Sequence, residues 1–337
     1  MSAAEQRATQ GEIAVSVEAL TRSFGTRKSA VHAVRGISFE ARRGELLGLV
    51  GPDAAGKTTT MRMLAGLVRP TSGSVRVLGV DPNGRGAARV RDSLGLVPQE
   101  HSLYGDLTVA ENLSFFGELY GLSRAVFRER RERLLGISRL EQFTERRAAA
   151  LSGGMYKNLA LSCALLHQPE VLLLDEPTNG VDPPSRRELW DLVYTFVDRG
   201  MTVIVSTPYM DEAARCHRAL LMHEGRVLAE GAPKELTRGL THPCFVVELP
   251  HGLDAAAAAE LREALHATLA SLPAVMASSP AGARLKVVVE KGGEETVRRA
   301  IGAHGASLVP ALADFEDLFL ARVAEAQRAD SRAQVSS

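Results

Sequence analysis

The segment Gly51-Pro52-Asp53-Ala54-Ala55-Gly56-Lys57-Thr58 constrains this chain more than any other part of it. It follows an apolar run at 46–50 and precedes a stretch at 58–67 whose pattern predicts a helix. Glycines at both ends let a backbone wrap closely, and successive N–H groups at a helix N-terminus attract negative charge. A strand, a glycine-bounded loop and a helix together predict a phosphate-binding loop. In it Lys57 meets the outer phosphates and the Thr58 hydroxyl ligates magnesium, while Gly51, Pro52, Asp53, Ala54, Ala55, Gly56 and Thr59 frame the ligand.

The rest of the pattern suits such a loop. Residues 13–17 and 37–40 alternate as short strands, and apolar strands at 171–174 and 203–205 each follow a helical stretch. Strands alternating with helices imply an α/β chain with a parallel sheet and ligands at its carboxyl edge. Thr108-Val109-Ala110-Glu111 has the spacing of a capping box, starting a helix through about Tyr120, and charge-rich helices follow to about residue 148. After Leu236 the texture changes to a strand at 245–249, an Ala-rich helix at 255–272, a strand at 285–290 and a helix near 295–303. At 337 residues the chain exceeds the roughly 100–200 typical of one domain. We therefore expect a main domain at 13–238 with a helical subdomain at about 100–165, a small α+β domain at 239–324, and disordered tails at 1–12 and 325–337.

A second chemical element is Val171-Leu172-Leu173-Leu174-Asp175-Glu176-Pro177, an apolar strand that ends in two carboxylates. Alone, such a pair would more often be a solvated turn. After a phosphate loop in the same sheet it predicts a hydrolysis site, with Asp175 orienting the magnesium shell and Glu176 polarising an attacking water. A third element, Leu151-Ser152-Gly153-Gly154-Met155, opens a helix with a hydroxyl and two unobstructed N–H groups, which is again an anion site.

That third segment resembles the signature of ABC ATPases, and the likeness extends over roughly residues 13 to 323. The resemblance implies a P-loop NTPase (ABC ATPase) core with an N-terminal β-subdomain, a helical signature subdomain and a small C-terminal α+β appendage. It implies ATP and magnesium as ligands. Gln99, in Leu96-Val97-Pro98-Gln99, resembles the family's glutamine that senses magnesium and the attacking water; Asp182 matches the loop that crosses a dimer interface; Phe24 sits where the family stacks an aromatic on adenine. The implied catalytic set is Glu176, Gln99 and Lys57, and the implied metal set is Thr58, Gln99 and Asp175. The residues at 102–108, 209–213 and 315–319 look like those of bacterial drug and lipid exporter ATPases. Two such subunits, identical or different, would close head to tail on two ATP molecules. Movement would pass to separate integral membrane permease subunits, with the chain on the cytoplasmic side of the membrane.

Bulk properties narrow the partners. Forty basic and forty acidic residues and a pI near 7.1 leave no global field toward nucleic acid or anionic lipid. The residues Cys163, Cys216 and Cys244 have no CxxC spacing and fit a reducing compartment. No run of about 18 uninterrupted apolar residues occurs, and the polar start of the chain lacks a signal-peptide core, so we expect no membrane span. A soluble ABC regulator of translation or DNA metabolism would be expected to carry two cassettes, a basic surface or a coiled-coil insertion. A scaffold with little hydrolysis is the other alternative.

Three segments depart from the family pattern. Pro208 replaces a switch histidine and has neither side-chain donor nor N–H, which predicts slower hydrolysis with Thr207 as a possible substitute. Ala54 stands at a place commonly glycine, tolerable if φ is negative there. Tyr156-Lys157-Asn158 differ from the usual glutamine and basic pattern after the signature.

Overall fold

The computed structural model describes residues 11–26, 29–100, 102–282 and 284–335. Two compact units emerge. The first runs to Glu212 and includes Cys216–Val227; the second comprises Ala213–Arg215 and the described chain from Leu228.

The first unit contains β1 Ile13–Phe24, β2 Val31–Arg42, β3 Leu46–Val50, β4 Ser72–Val77, β5 Leu94–Val97, β6 Val171–Asp175, β7 Thr202–Thr207 and β8 Arg218–His223, and β9 Arg226–Gly231 leads out of it. Strands β2-β1-β4 form an antiparallel sheet, and β5-β6-β7-β3-β8-β9 form a six-stranded sheet whose inner pairings are parallel. Every residue of β3, β6 and β7 is buried, as befits central parallel strands covered on both faces. Alternation sorts their side chains. Leu172, Leu174, Val203 and Val205 pack with Val109, Leu113, Leu159 and Trp190 from the helical region. Val171, Leu173 and Ile204 face the other way, into a core with Val15, Val17, Ile37 and Phe39 from the antiparallel sheet.

Helices supply the second layer, and side chains set where they begin. Thr108 caps Val109–Leu119 in a complete capping box with Glu111. Ser123, Ser152 and Asp182 cap Arg124–Ser138, Gly153–Leu165 and Pro183–Val197. The helix after the phosphate loop spans Lys57–Leu64, shorter than the expected 58–67, because its carboxyl end tightens into a turn at Gly66 with φ of 71°.

The second unit runs β10 Cys244–Glu248, helix Ala255–Ser271, β11 Val275–Ala281, β12 Arg284–Val289, helix Glu294–Gly302 and β13 Ser307–Ala311. Its antiparallel sheet has the order β11-β12-β10-β13, a split β-α-β arrangement. Leu265, Leu269, Val297 and Ile301 of the two helices cover one face through Val287 and Val289. Ala321, on the helix Phe315–Val335, covers the other through Val288 and Met276.

Two expected boundaries are corrected. Disorder from 325 is replaced by helix as far as Val335, because Arg328 bonds the carbonyls of Pro273 and Val275 at 2.8 and 3.0 Å and fixes the helix to the sheet. The second unit begins before 239, since the helix Pro233–Arg238 packs on the helix Phe315–Val335. Of the tail expected at 1–12, residues 1–10 lie outside the described residues, and Glu12 is anchored by an ion pair to Arg43 at 3.0 Å.

Candidate nucleotide site

Register in the parallel sheet brings the candidate residues to one edge. Val97 lies beside Leu174, Asp175 beside Ser206, and Val50 beside Thr207. The chain leaving these strands therefore places Gln99, the 175–176 carboxylates, Pro208 and the phosphate loop together. They border a cleft of about 810 Å³ lined by Ala30 to Ala33, Arg35, Asp53 to Thr59, Gln99, Glu176, Asn179, Pro208, Tyr209 and Glu224.

The loop is built as its glycines require. A Cβ on Gly51 would lie 2.1 Å from the Met222 carbonyl oxygen, and one on Gly56, whose φ is 97°, 2.5 Å from that of Ala33. Lys57 is 3% exposed, and its ammonium donates to the carbonyls of Gly51 and Pro52 at 2.8 and 2.9 Å. It also lies 3.3 Å from Glu176, which is itself buried. A buried cation that meets two carbonyls and a carboxylate is fully paired, and is held where an incoming phosphate would compete for it.

Glu176 is held from several directions. Gln99 donates its amide Nε2 to Oε2 at 2.8 Å, Asn179 approaches the same oxygen at 3.4 Å, and the Glu176 N–H is held by Ser206. Its φ of 48° is left-handed, a conformation that costs a non-glycine residue about 1–2 kcal/mol. The bonds from Gln99, Asn179 and Ser206 hold the residue in this strained conformation. Behind it, Asp175 Oδ1 accepts from Thr58 Oγ1 at 3.1 Å and from Ser206 Oγ at 2.5 Å.

The donor set fits magnesium. Among the described residues no three His, Cys, Asp or Glu side chains form a dedicated metal cage. Thr58, Asp175 and Gln99 supply a few hard oxygens at one strand end, which suits an ion that keeps waters and takes its other ligands from phosphate.

Ala54 has φ of 62°, so the condition for a harmless methyl is not met and the loop carries the left-handed cost at this residue. Thr207 does not substitute for a switch histidine: it is fully buried, its hydroxyl donates to Glu212 at 2.6 Å and accepts the N–H of Tyr209 at 3.0 Å. Pro208 lines the cleft and offers no polar group there.

Other expected residues lie off the cleft lining. Gly51, Pro52 and Asp175 sit just behind it, bonded to Lys57 and Thr58, and Ser152, Gly153, Gly154 and Asp182 do not line it. Ser152 is exposed and accepts the N–H of Met155, opening the helix. Gly154 packs so closely that a Cβ would sit 2.4 Å from Ser185 Cβ, which ties the signature turn to the helix capped by Asp182. The N–H of Ser185 holds the Asp182 carboxyl below its usual pKa, so it is a charged, exposed cap. Phe24, 40% exposed, does not line the cleft and has the Arg22 guanidinium 4.4 Å above its ring; its strand partner Val31 lines the cleft.

Sequence reasoning missed Ser206 and Asn179. The signal for Ser206 was present, since a hydroxyl ending a buried strand beside Val171–Asp175 needs a partner. Asn179 gave no comparable signal.

Comparisons with known proteins agree with this geometry. Residues 34–179 match the family model described as ABC transporter. The "Probable multidrug ABC transporter ATP-binding protein YbhF" of Escherichia coli is 41% identical over 86% of this chain and 48% of its own length. The chain thus spans about half the length of that relative. The "Nod factor export ATP-binding protein I" of Paraburkholderia xenovorans is 41% identical over 71% of this chain and 77% of its own. Among solved structures, one titled as the ATP-binding subunit of an ABC transporter shares 30% identity with a TM-score of 0.59, covering 66% of this chain and 92% of its own. A dimeric ATP-binding cassette in a post-hydrolysis state, bound to ADP and Pi, shares 25% identity with a TM-score of 0.60, covering 65% of this chain and 98% of its own.

Proposed function

We propose that this chain, which belongs to the family of ABC transporter ATP-binding proteins, hydrolyses ATP to ADP and phosphate and drives export through separate membrane subunits. The arrangement of Glu176 carries the reading: a strained, buried carboxylate between Lys57 and Gln99 at the mouth of a phosphate loop. Lys57 and the loop N–H groups hold the outer phosphates, and Glu176, oriented by Gln99 and Asn179, accepts the proton of the attacking water. Magnesium, when bound through Thr58 and Asp175, neutralises developing phosphate charge. Phe24 offers an exposed ring beside the cleft wall for the adenine.

Ser152, Gly153 and Gly154 open a helix N-terminus that does not line this chain's own cleft, which supports a site completed by a second cassette, with Asp182 at that contact. Pro208 leaves this chain's own site short of one donor, which supports slow turnover here and full assistance to a histidine-bearing partner. Among the described residues no helix is long and apolar enough to cross a membrane. Tyr104 is 51% exposed and packs edge-on against Phe115, itself 38% exposed, 4.6 Å between ring centres, which suits a permease segment docking on the cytoplasmic side. Export of a drug-like or lipid-like molecule accords with relatives named for multidrug transport and Nod factor export.

Glu176→Gln tests the assignment. ATP binding is retained and turnover falls at least about a hundredfold, the usual worth of a general base. Turnover at the unmutated rate would remove Glu176 from that role.

A further inference from the structure

The three residues after the signature turn depart from the pattern of the family, and two of them bond the segment that leaves β5. Tyr156 and Lys157 lie in the first turns of the helix Gly153–Leu165 and reach in different directions. The Tyr156 hydroxyl accepts the N–H of Leu103 at 3.2 Å. Lys157 donates its ammonium to the carbonyl oxygen of Gln99 at 2.8 Å. Both partners belong to the segment that leaves β5, and the side chain of Gln99 is the one bonded to Glu176 at 2.8 Å.

We propose that Tyr156 and Lys157 are positioning residues, two staples that fix the Gln99 segment to the signature helix and so hold the Gln99 amide on Glu176. The backbone of Gln99 is gripped on one side by Lys157 while its side chain grips Glu176 on the other. A displacement of the signature helix therefore pulls directly on the orientation of Glu176, and a misplacement of about 1 Å near reacting groups can cost a hundredfold in rate. Burial supports the assignment. A half-buried lysine bonded to a carbonyl is held far more firmly than one on a solvated face. Asn158 next to it is buried with its Oδ1 unbonded, so it holds the segment through no hydrogen bond at that oxygen.

The inference rests on the hydrolysis assigned above, and a set of variants of the full chain separates the two. Lys157→Met should lower kcat about tenfold, the low end for a hydrogen bond to a charged group, and leave KM for ATP within roughly twofold. Lys157→Arg should restore most of the rate. In a Gln99→Ala background Lys157→Met should have no further effect, because its action passes through Gln99. Independently of turnover, Tyr156→Phe should speed hydrogen exchange at the Leu103 amide, whose partner is the removed hydroxyl. Equal losses in both backgrounds, a KM that rises in step with the loss of rate, failure of arginine to rescue, or unchanged exchange at Leu103 would overturn the proposal. A wild-type chain without turnover would instead sink the hydrolysis reading, and Leu103 exchange alone would then decide the staples.

Discussion

The molecule places a glycine-bounded loop before a helix twice, and the two places differ in what surrounds them. At the phosphate loop the key side chains are paired with one another: Lys57 meets two carbonyls and Glu176, Thr58 meets Asp175, and Asp175 meets Ser206. At the signature turn Ser152 and Gly153 are exposed, the serine does no more than cap its own helix, and none of the three residues borders the cleft. One helix N-terminus is a closed machine part, and the other is an open face. In the function proposed here, the same local chemistry serves hydrolysis where a parallel sheet delivers carboxylates, and docking of a second cassette where it does not.

The largest expected effect comes from breaking the closed side. Lys57→Ala leaves Glu176 buried beside no cation and removes the ligand for the outer phosphates, so nucleotide binding should fall by at least about a hundredfold, equivalent to roughly 3 kcal/mol for a lost charged contact. Binding of a fluorescent ATP analogue measures it. On the open side, Ser152→Ala should leave ATP affinity of the single chain unchanged, and an equal loss of affinity there would erase the contrast.

Next in size is Gly154→Ala. Its Cβ would meet Ser185 Cβ at 2.4 Å, so the helix beginning at Gly153 must move off the helix capped by Asp182. Overpacking of this kind costs about 1–3 kcal/mol, and a lowered thermal midpoint with ATP affinity preserved is the expected pair of results. Pro208→His sharpens the contrast in the opposite direction. Thr207 is committed to Glu212 and Tyr209, so no hydroxyl stands in for the missing donor, and turnover should rise about tenfold. An unchanged rate, with chemistry limiting, would show that another group already serves.

The smallest effect is Ala54→Gly. Relief of a left-handed alanine is worth about 1–2 kcal/mol, and glycine returns about 0.5–1 kcal/mol of unfolded-state freedom. The net gain should be about 0.5 kcal/mol, read from denaturant unfolding.

The two sides were also unequally legible. The phosphate loop, the 175–176 carboxylates and the capping box at Thr108 could be read because each is a contiguous pattern with one mechanism. That Ser206 needs a partner could be read but not which one, and the staples of Lys157 could not be read at all, because they depend on which strand lies beside which and on how far a side chain reaches. The placement of Thr207 was hidden for the same reason: its hydroxyl could have faced the cleft or Glu212, and the four residues between them decide it. In the second unit, composition pointed to a small α+β body, yet the polar end of the chain looked like a loose tail. Arg328 folds it into helix by bonds to Pro273 and Val275, partners more than fifty positions away in sequence.

In the proposed mechanism the closed edge of one cassette works only with the open edge of another. Mixing two variants tests it: Lys57→Ala, with a broken phosphate loop and an intact signature, and Ser152→Ala combined with Gly153→Glu, with an intact phosphate loop and a signature turn that repels phosphate. Each alone should be nearly inactive. In a mixed pair one site unites the intact phosphate loop of the second with the intact signature of the first, so ATP turnover on mixing should rise well above the sum of the separate rates. Turnover equal to that sum, or a signature variant that is fully active alone, would contradict the account.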